Sequence, residues 1–148
     1  MPRTRLVDAY RPAARVLIVD DEESICTLLT RMLEPLGYEI DIFTDADSTL
    51  AAVKYSPADV VVCDIRMPGH DGVWLIDQLQ QRYPATAIVI VTGIQDLDPR
   101  LTLRPGVIAY LAKPFEAEQV QKAVKKAVDA VSALQPRPQL RLVPPPAR

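Results

Sequence analysis

The sequence predicts an α/β fold in which a parallel sheet is covered by helices on both faces. From Arg15 onward, short runs rich in β-branched residues alternate with segments of helical periodicity, which is the pattern of repeated βαβ units. The 148 residues, 49% of them hydrophobic, are enough to build the core of one such domain. We therefore expect a single α/β domain over residues 15–134.

Five strands are predicted, each a short and mostly apolar run. They are residues 16–19, 39–43, 60–63, 87–91 and 108–111. Continuous runs of this length, rich in Val and Ile, are typical of strands that are buried on both sides in a parallel sheet. Helices are therefore expected in the crossovers between them.

The first and last of these helices have the clearest patterns. Apolar residues recur at steps of three and four from Ile25 to Leu36, and Gly37 supplies a stop signal. The same spacing recurs from Val120 to Leu134. Shorter helices are predicted at 47–54 and 73–82. In the fourth crossover, Pro99 and Pro105 leave room for barely one or two turns, so the fourth helix should be short or irregular.

Both ends of the chain lack this periodicity, and the composition excludes several classes of protein. Residues 1–14 are predicted to be a flexible arm, and residues 135–148, with five of the 14 prolines, a disordered Pro-rich tail.

The chain has no apolar run near the roughly 20 residues of a membrane span and no signal-peptide core, so we expect a cytoplasmic protein that does not bind membranes. A net charge of −2 argues against direct nucleic-acid binding. Cys26 and Cys63 should be buried free thiols.

Polar residues close four of the five predicted strands. Asp20 and Asp21 follow the first strand, Asp64 the third, Thr92 the fourth and Lys113 the fifth. Because ligands of parallel α/β sheets bind at the carboxyl ends of the strands, we expect these side chains to meet at one rim. An all-oxygen carboxylate cluster favours a hard cation such as Mg²⁺. One carboxylate could then attack a phosphoryl group while the lysine and the metal neutralise its charge.

Four motifs in this order carry a resemblance to a known family. They are Val-Asp-Asp-Glu at 19–22, Val-Cys-Asp-Ile-Arg-Met-Pro-Gly-His-Asp-Gly at 62–72, Val-Thr-Gly at 91–93 and Tyr-Leu-Ala-Lys-Pro-Phe at 110–115. Over residues 15–134 the chain resembles the receiver domains of bacterial two-component response regulators. The resemblance implies a flavodoxin-like, doubly wound sheet of five parallel strands in the order 2-1-3-4-5.

The resemblance also implies a role for each residue at the rim. Asp64 would be the phosphate acceptor, and the Mg²⁺ ligands would be Asp21, Asp20 (partly through water), Asp64 and the backbone carbonyl of Arg66. Lys113 would pair with the phosphate, Thr92 would be the switch hydroxyl, and Tyr110 the aromatic residue that follows it inward. The Lys113–Pro114 bond would be cis.

Taken one at a time, these residues have simpler interpretations. The Asp20-Asp21 pair could cap the first helix, Thr92 could cap a turn, Lys113 could be a surface charge and Tyr110 could belong to the core. Three further residues, Met67, His70 and Trp74, are predicted to pack beside the site without a chemical role. The simple interpretations become improbable when all four motifs occur together.

The function implied is a phosphorylation-dependent signalling switch. It would receive phosphate from a sensor histidine kinase or phosphotransfer protein and regulate a downstream protein, with phosphorylation-dependent homodimerisation also compatible. The chain could equally be a fragment of a larger regulator or hybrid kinase. A Mg²⁺-dependent phosphohydrolase with an Asp nucleophile is disfavoured, because dehalogenase-type enzymes need a second Asp where this chain has Arg66, so no enzyme is predicted. A phosphorylation-independent interaction module is the third alternative.

Overall fold

The central sheet agrees with the predicted architecture. The computed structural model describes residues 5–6, 13–134 and 142–143. Its five parallel strands are β1 (Arg15–Val19), β2 (Glu39–Phe43), β3 (Val60–Cys63), β4 (Ala87–Gly93) and β5 (Val107–Lys113). They pair in the order β2-β1-β3-β4-β5, which confirms the predicted order 2-1-3-4-5. Because β4 and β5 run two residues further than predicted, Thr92 and Lys113 belong to the sheet ladder itself.

Four α-helices cover the two faces of the sheet. They are α1 (Glu23–Leu33), α2 (Ala46–Tyr55), α3 (Gly72–Arg82) and α4 (Ala117–Leu134). α1 and α4 pack on one face, α2 and α3 on the other, and each face has its own apolar cluster. Val16 and Ile18 of β1 point into the first cluster and Leu17 into the second, because side chains alternate along a strand. The central strands β3 and β4 are therefore almost entirely buried, as expected where helices cover both faces, whereas the edge strand β2 exposes Glu39, Asp41 and Ile42.

The first helix is shorter than its apolar pattern. α1 ends at Leu33, and the chain continues as a 3-10 helix, Glu34–Leu36, although the pattern predicts an α-helix that reaches Leu36. Pro35 explains the change, since it has no amide hydrogen for an α-helical hydrogen bond. Gly37 then takes a φ of 80°, a left-handed conformation that glycine adopts without steric cost, and it ends the segment as predicted.

The crossover from β4 to β5, all of which the structure describes, contains two 3-10 helices in place of an α-helix. They are Ile94–Asp96 and Pro99–Leu103, which confirms the predicted short and irregular fourth helix. The side chain of Asp98 caps the second one by accepting a hydrogen bond from the Arg100 amide at 3.0 Å. Leu101 is buried in the cluster beneath α2 and α3, so the segment is anchored to the domain.

Near the chain ends, two short strands pair with each other. Arg5–Leu6 and Leu142–Val143 form an antiparallel pair in which Arg5 faces Val143. The rest of the predicted flexible arm before residue 13, and of the predicted Pro-rich tail, lies outside the described residues. In the part of the chain that is described, no helix has both the length and the apolar character needed to cross a bilayer. Cys26 and Cys63 are buried free thiols, as predicted.

Candidate functional site

The predicted polar residues come together at the carboxyl rim of the sheet. Backbone hydrogen bonds extend the ladder just past two of the strands, from the Asp64 amide to the Val19 carbonyl (3.0 Å) and from the Asp20 amide to the Phe43 carbonyl (3.1 Å). These bonds fix the backbone of both aspartates relative to the neighbouring strand. The rim is therefore built by the rigid part of the fold, which limits how far its carboxylates can move apart.

Asp64 lies at the centre of the rim and is only 6% exposed. One carboxylate oxygen, Oδ1, accepts hydrogen bonds from the Thr92 hydroxyl at 2.7 Å and from the Ile65 amide at 2.8 Å. The other oxygen, Oδ2, lies 3.2 Å from the Lys113 ammonium. The carboxylate is therefore oriented by donors on three sides, as a fixed nucleophile or ligand requires.

Lys113 joins Asp64 to a second buried carboxylate. Its Nζ lies 2.7 Å from Asp20 Oδ2, while Asp20 Oδ1 accepts a hydrogen bond from the Glu22 amide at 2.9 Å. Burial raises the pKa of Asp20 above the ordinary aspartate value, and the hydrogen bond from Lys113 offsets only part of this effect. Burial lowers the pKa of Lys113, but its contacts with the two carboxylates outweigh burial, and its pKa is raised. Lys113 therefore carries a positive charge at neutral pH.

Three carboxylates make a cluster that suits a divalent cation. Oxygens of Asp20, Asp21 and Asp64 all lie within 4.8 Å of one another, with Asp21 exposed and the other two buried. Oxygen ligands from one or two carboxylates, completed by water, are what Mg²⁺ prefers in proteins. One partly buried cation, Lys113, offsets the two buried carboxylates of Asp20 and Asp64, so the cluster keeps an excess of negative charge for a metal to neutralise. The residues therefore fit Mg²⁺.

The loop after Asp64 is held close to the site by a glycine. A Cβ built on Gly72 would lie 2.1 Å from the Asp64 carbonyl oxygen and 2.7 Å from Ile65 Cα, both backbone atoms. The Gly72 amide donates to the Ile65 carbonyl at 2.7 Å, which closes the loop on itself. At the neighbouring residue, the Asp71 side chain caps α3 by accepting a hydrogen bond from the Trp74 amide at 2.9 Å. The spacing of Gly72 eight residues after Asp64 therefore has a steric reason.

A cleft of about 550 Å³ opens from the rim toward solvent. It is lined by Asp21, Glu22, Asp64, Arg66, Met67, Pro68, Gly93, Gln95, Asp96 and Lys113. At its mouth, Arg66 Nη2 lies 2.6 Å from Asp96 Oδ1. Asp96 lines this cleft but was not among the site residues predicted from the sequence. Its position four residues after Thr92, just past the end of β4, was the available signal.

The predicted aromatic switch residue is directed inward. Tyr110 is partly buried and packs against the apolar cluster beneath α2 and α3. Its hydroxyl is buried and finds no hydrogen-bond partner among the described residues. Tyr110 lies opposite Ile90 in the pairing of β4 with β5, two positions before the pair Thr92–Ala112. Thr92 and Tyr110 therefore lie on neighbouring strands near the same rim.

Of the three residues predicted to pack beside the site, Met67 lines the cleft, whereas His70 and Trp74 pack against each other outside its lining. The rings of His70 and Trp74 stack with centroids 3.7 Å apart, and His70 Nδ1 lies 2.9 Å from Asp47 Oδ1. Met67 is buried, and so is Cys63, whose thiol pKa is raised by burial and by the neighbouring Asp64 charge. A thiol with a raised pKa is a poor nucleophile, which agrees with a core role for Cys63. The Lys113–Pro114 bond is cis.

The sequence matches one protein family and several transcriptional regulators. The model of the family described as the response regulator receiver domain matches residues 16–125. The chain is 37% identical over 114 residues to the DNA-binding transcriptional regulator NtrC of Salmonella typhimurium, and 32% identical to the transcriptional regulatory protein ZraR of the same organism. Each match covers 76% of this chain, but only 24% of NtrC and 26% of ZraR. The chain thus spans about a quarter of the length of these relatives.

Solved structures agree with the sequence matches. A response regulator receiver domain from Clostridium thermocellum superposes with a TM-score of 0.76 at 29% identity, covering 82% of this chain and 99% of the other. The receiver domain of NtrX from Brucella abortus superposes with a TM-score of 0.72 at 30% identity, covering 77% of this chain and 98% of the other. The similarity thus includes the whole receiver fold in both structures.

Proposed function

Because the chain belongs to the response regulator receiver family, we propose that it is a phosphorylation switch of a two-component system with Asp64 as its phosphate acceptor. The observation that carries this proposal is the environment of the Asp64 carboxylate. Thr92 and Lys113 approach its two different oxygens, at 2.7 and 3.2 Å, beside a carboxylate cluster that fits Mg²⁺.

The side chains of the rim divide the work of phosphoryl transfer. A carboxylate oxygen of Asp64 forms a bond to phosphorus as the bond to the donor, a histidine nitrogen or the oxygen of a small acyl phosphate, breaks and leaves its electron pair with the donor. Lys113, already in contact with Asp64, offsets the negative charge of the transferred group. Asp20, Asp21, Asp64 and the backbone carbonyl of Arg66 would hold Mg²⁺, which when bound supplies further positive charge at the phosphoryl oxygens.

The switch itself would involve Thr92 and Tyr110. The Thr92 hydroxyl now donates to Asp64 Oδ1, and after phosphorylation it would donate to a phosphoryl oxygen that lies further out in the cleft. Because Thr92 is completely buried and belongs to β4, a shift of its hydroxyl moves the strand end and the segment that follows. Tyr110 on the neighbouring strand would change its packing when Thr92 moves, which would alter the protein surface near β5.

The proposed partners follow from the family. They are a sensor histidine kinase or phosphotransfer protein that supplies the phosphate and a downstream protein or domain that reads the switch, with phosphorylation-dependent pairing of two copies as a further proposal. We also propose a cytoplasmic location on the basis of family membership. A phosphohydrolase role is not favoured, because the guanidinium of Arg66 stays protonated and cannot act as a general acid or base.

Phosphorylation with a small donor tests the proposal. Incubation with acetyl phosphate and Mg²⁺ should add the mass of one phosphoryl group to the intact protein, and Asp64→Asn should remove the labelling. Asp71→Asn is the matched control, because Asp71 lies in the same loop, does not line the cleft, and as asparagine can still cap α3. Undiminished labelling of Asp64→Asn would overturn the assignment of the acceptor.

A further inference from the structure

Two polar contacts connect the chain just after β3 with the end of β4 and the segment that follows it. The inner contact is buried and joins Asp64 to Thr92. The outer contact, at the mouth of the cleft, joins Arg66 to Asp96, two residues after Asp64 and four residues after Thr92. The proposed phosphorylation changes Asp64, so both contacts are close enough to respond to it.

The two partners of the outer contact differ in their freedom to move. The Arg66 side chain is 77% exposed, whereas that of Asp96 is 12% exposed at the end of the 3-10 helix Ile94–Asp96. A long exposed side chain can change rotamer at little cost, while a nearly buried carboxylate on a short helix cannot follow it. If the contact breaks, Arg66 is therefore the partner that moves.

The cleft contains a second cation, but that cation is already engaged. Lys113 lies between Asp20 and Asp64, at 2.7 and 3.2 Å. Arg66 lines the same cleft as Asp64 and contacts a carboxylate outside the Mg²⁺-binding cluster. Its planar guanidinium presents several donors in a fork that matches phosphate oxygens, which makes arginine the usual partner of phosphate groups.

From this geometry we propose that Arg66 exchanges partners. Before phosphorylation its guanidinium is held by Asp96, and after phosphorylation it binds the phosphoryl oxygens on Asp64, leaving Asp96 without its counter-ion. This inference rests on the proposed function of Asp64. It assigns Arg66 a side-chain role as a phosphate ligand, and it makes Asp96 a positioning residue that competes with the phosphate. The segment that carries Asp96 thereby senses the phosphorylation state directly.

A double-mutant cycle separates exchange from general charge effects. The probe is beryllofluoride, a phosphoryl mimic, titrated by calorimetry at saturating Mg²⁺ into wild type, Arg66→Gln, Asp96→Asn and the double variant. We expect Arg66→Gln to weaken binding about fivefold and Asp96→Asn to tighten it about threefold, the range of partly exposed ion pairs. In the Arg66→Gln background, Asp96→Asn should change nothing, since its only effect is to compete for Arg66.

The chain offers a matched control pair. Arg100 and Asp98 also form an arginine–aspartate contact, at 2.9 Å, in the same crossover but outside the cleft. Arg100→Gln and Asp98→Asn should leave binding of the mimic unchanged. Equal tightening by Asp96→Asn with and without Arg66, or weakening by Asp96→Asn, would overturn the exchange while leaving Asp64 as acceptor. Absence of mimic binding by wild type would overturn the proposed function and the exchange with it.

Discussion

Replacement of Gly72 by alanine tests whether the close loop contact positions the acceptor. The added Cβ would lie 2.1 Å from the Asp64 carbonyl oxygen, where ordinary contact begins at 3.4 Å. Because the opposing atoms belong to the backbone, the loop or the start of α3 must move by about 1 Å. Overpacking of this kind costs about 1–3 kcal/mol, and we expect a loss of about 2 kcal/mol and a Tm lower by about 5–10 °C.

The same displacement should slow phosphorylation. The contact at Gly72 is with the backbone of Asp64 itself, so we expect the added Cβ to displace the Asp64 carboxylate relative to Thr92 and Lys113. Misplacement of a reacting group by about 1 Å can reduce a rate about a hundredfold. We expect the initial rate of labelling by acetyl phosphate to fall by at least about tenfold. Urea unfolding, followed by Trp74 fluorescence and circular dichroism, gives the stability of the same samples.

Gly69 is the matched control in the same loop. It has a φ of +76°, but a Cβ there would meet no atom within 4 Å. Gly69→Ala should therefore lower the free energy of unfolding only by the strain of holding alanine in a left-handed conformation, about 1–2 kcal/mol. Gly69→Asn should recover most of this loss, because asparagine tolerates that conformation. Labelling rates should stay near wild type in both. Wild-type stability and labelling of Gly72→Ala, or a loss of labelling rate no larger than that of Gly69→Ala, would refute the steric argument.

Three further predictions concern the carboxylate cluster. Asp21→Ala should weaken Mg²⁺ binding by about tenfold or more, since even residues that only orient metal ligands contribute that much. Lys113→Ala should leave Mg²⁺ binding unchanged or tighten it, because Lys113 competes with the metal for Asp20 and Asp64. Calorimetric titration with Mg²⁺ checks both variants, and loss of Mg²⁺ binding in Lys113→Ala would contradict the competition. Mg²⁺ affinity should also fall with decreasing pH, starting above the ordinary aspartate range, because the raised pKa of Asp20 lets protons displace the metal there. Titrations at several pH values test this. A Mg²⁺ affinity that stays unchanged until the pH reaches the ordinary aspartate pKa would contradict it.

Much of the site was predictable because the fold places strand ends together. Asp64 and Lys113 are 49 residues apart, yet their side-chain atoms lie 3.2 Å from each other. Period and composition locate the strands, and parallel pairing then brings their carboxyl ends to one rim. Conversely, the apolar pattern predicts a first helix that reaches Leu36, but α1 ends at Leu33. Pro35 was the local signal for this earlier end, and the periodicity masked it. The roles of the rim residues remain predictions for the experiments above.

The sequence by itself determined the succession of strands and helices along the chain, the two-sided burial of the central strands and most of the residues at the rim. These properties follow from local periodicity, from chain-breaking residues and from the limited ways in which βαβ units can be joined. The tertiary structure alone decided which charges pair. Arg66 contacts Asp96, and Lys113 lies between Asp20 and Asp64. The close approach of Gly72 to the Asp64 carbonyl was likewise visible only in the structure. Such contacts depend on differences of about 1 Å between loops, and no local sequence pattern records those distances.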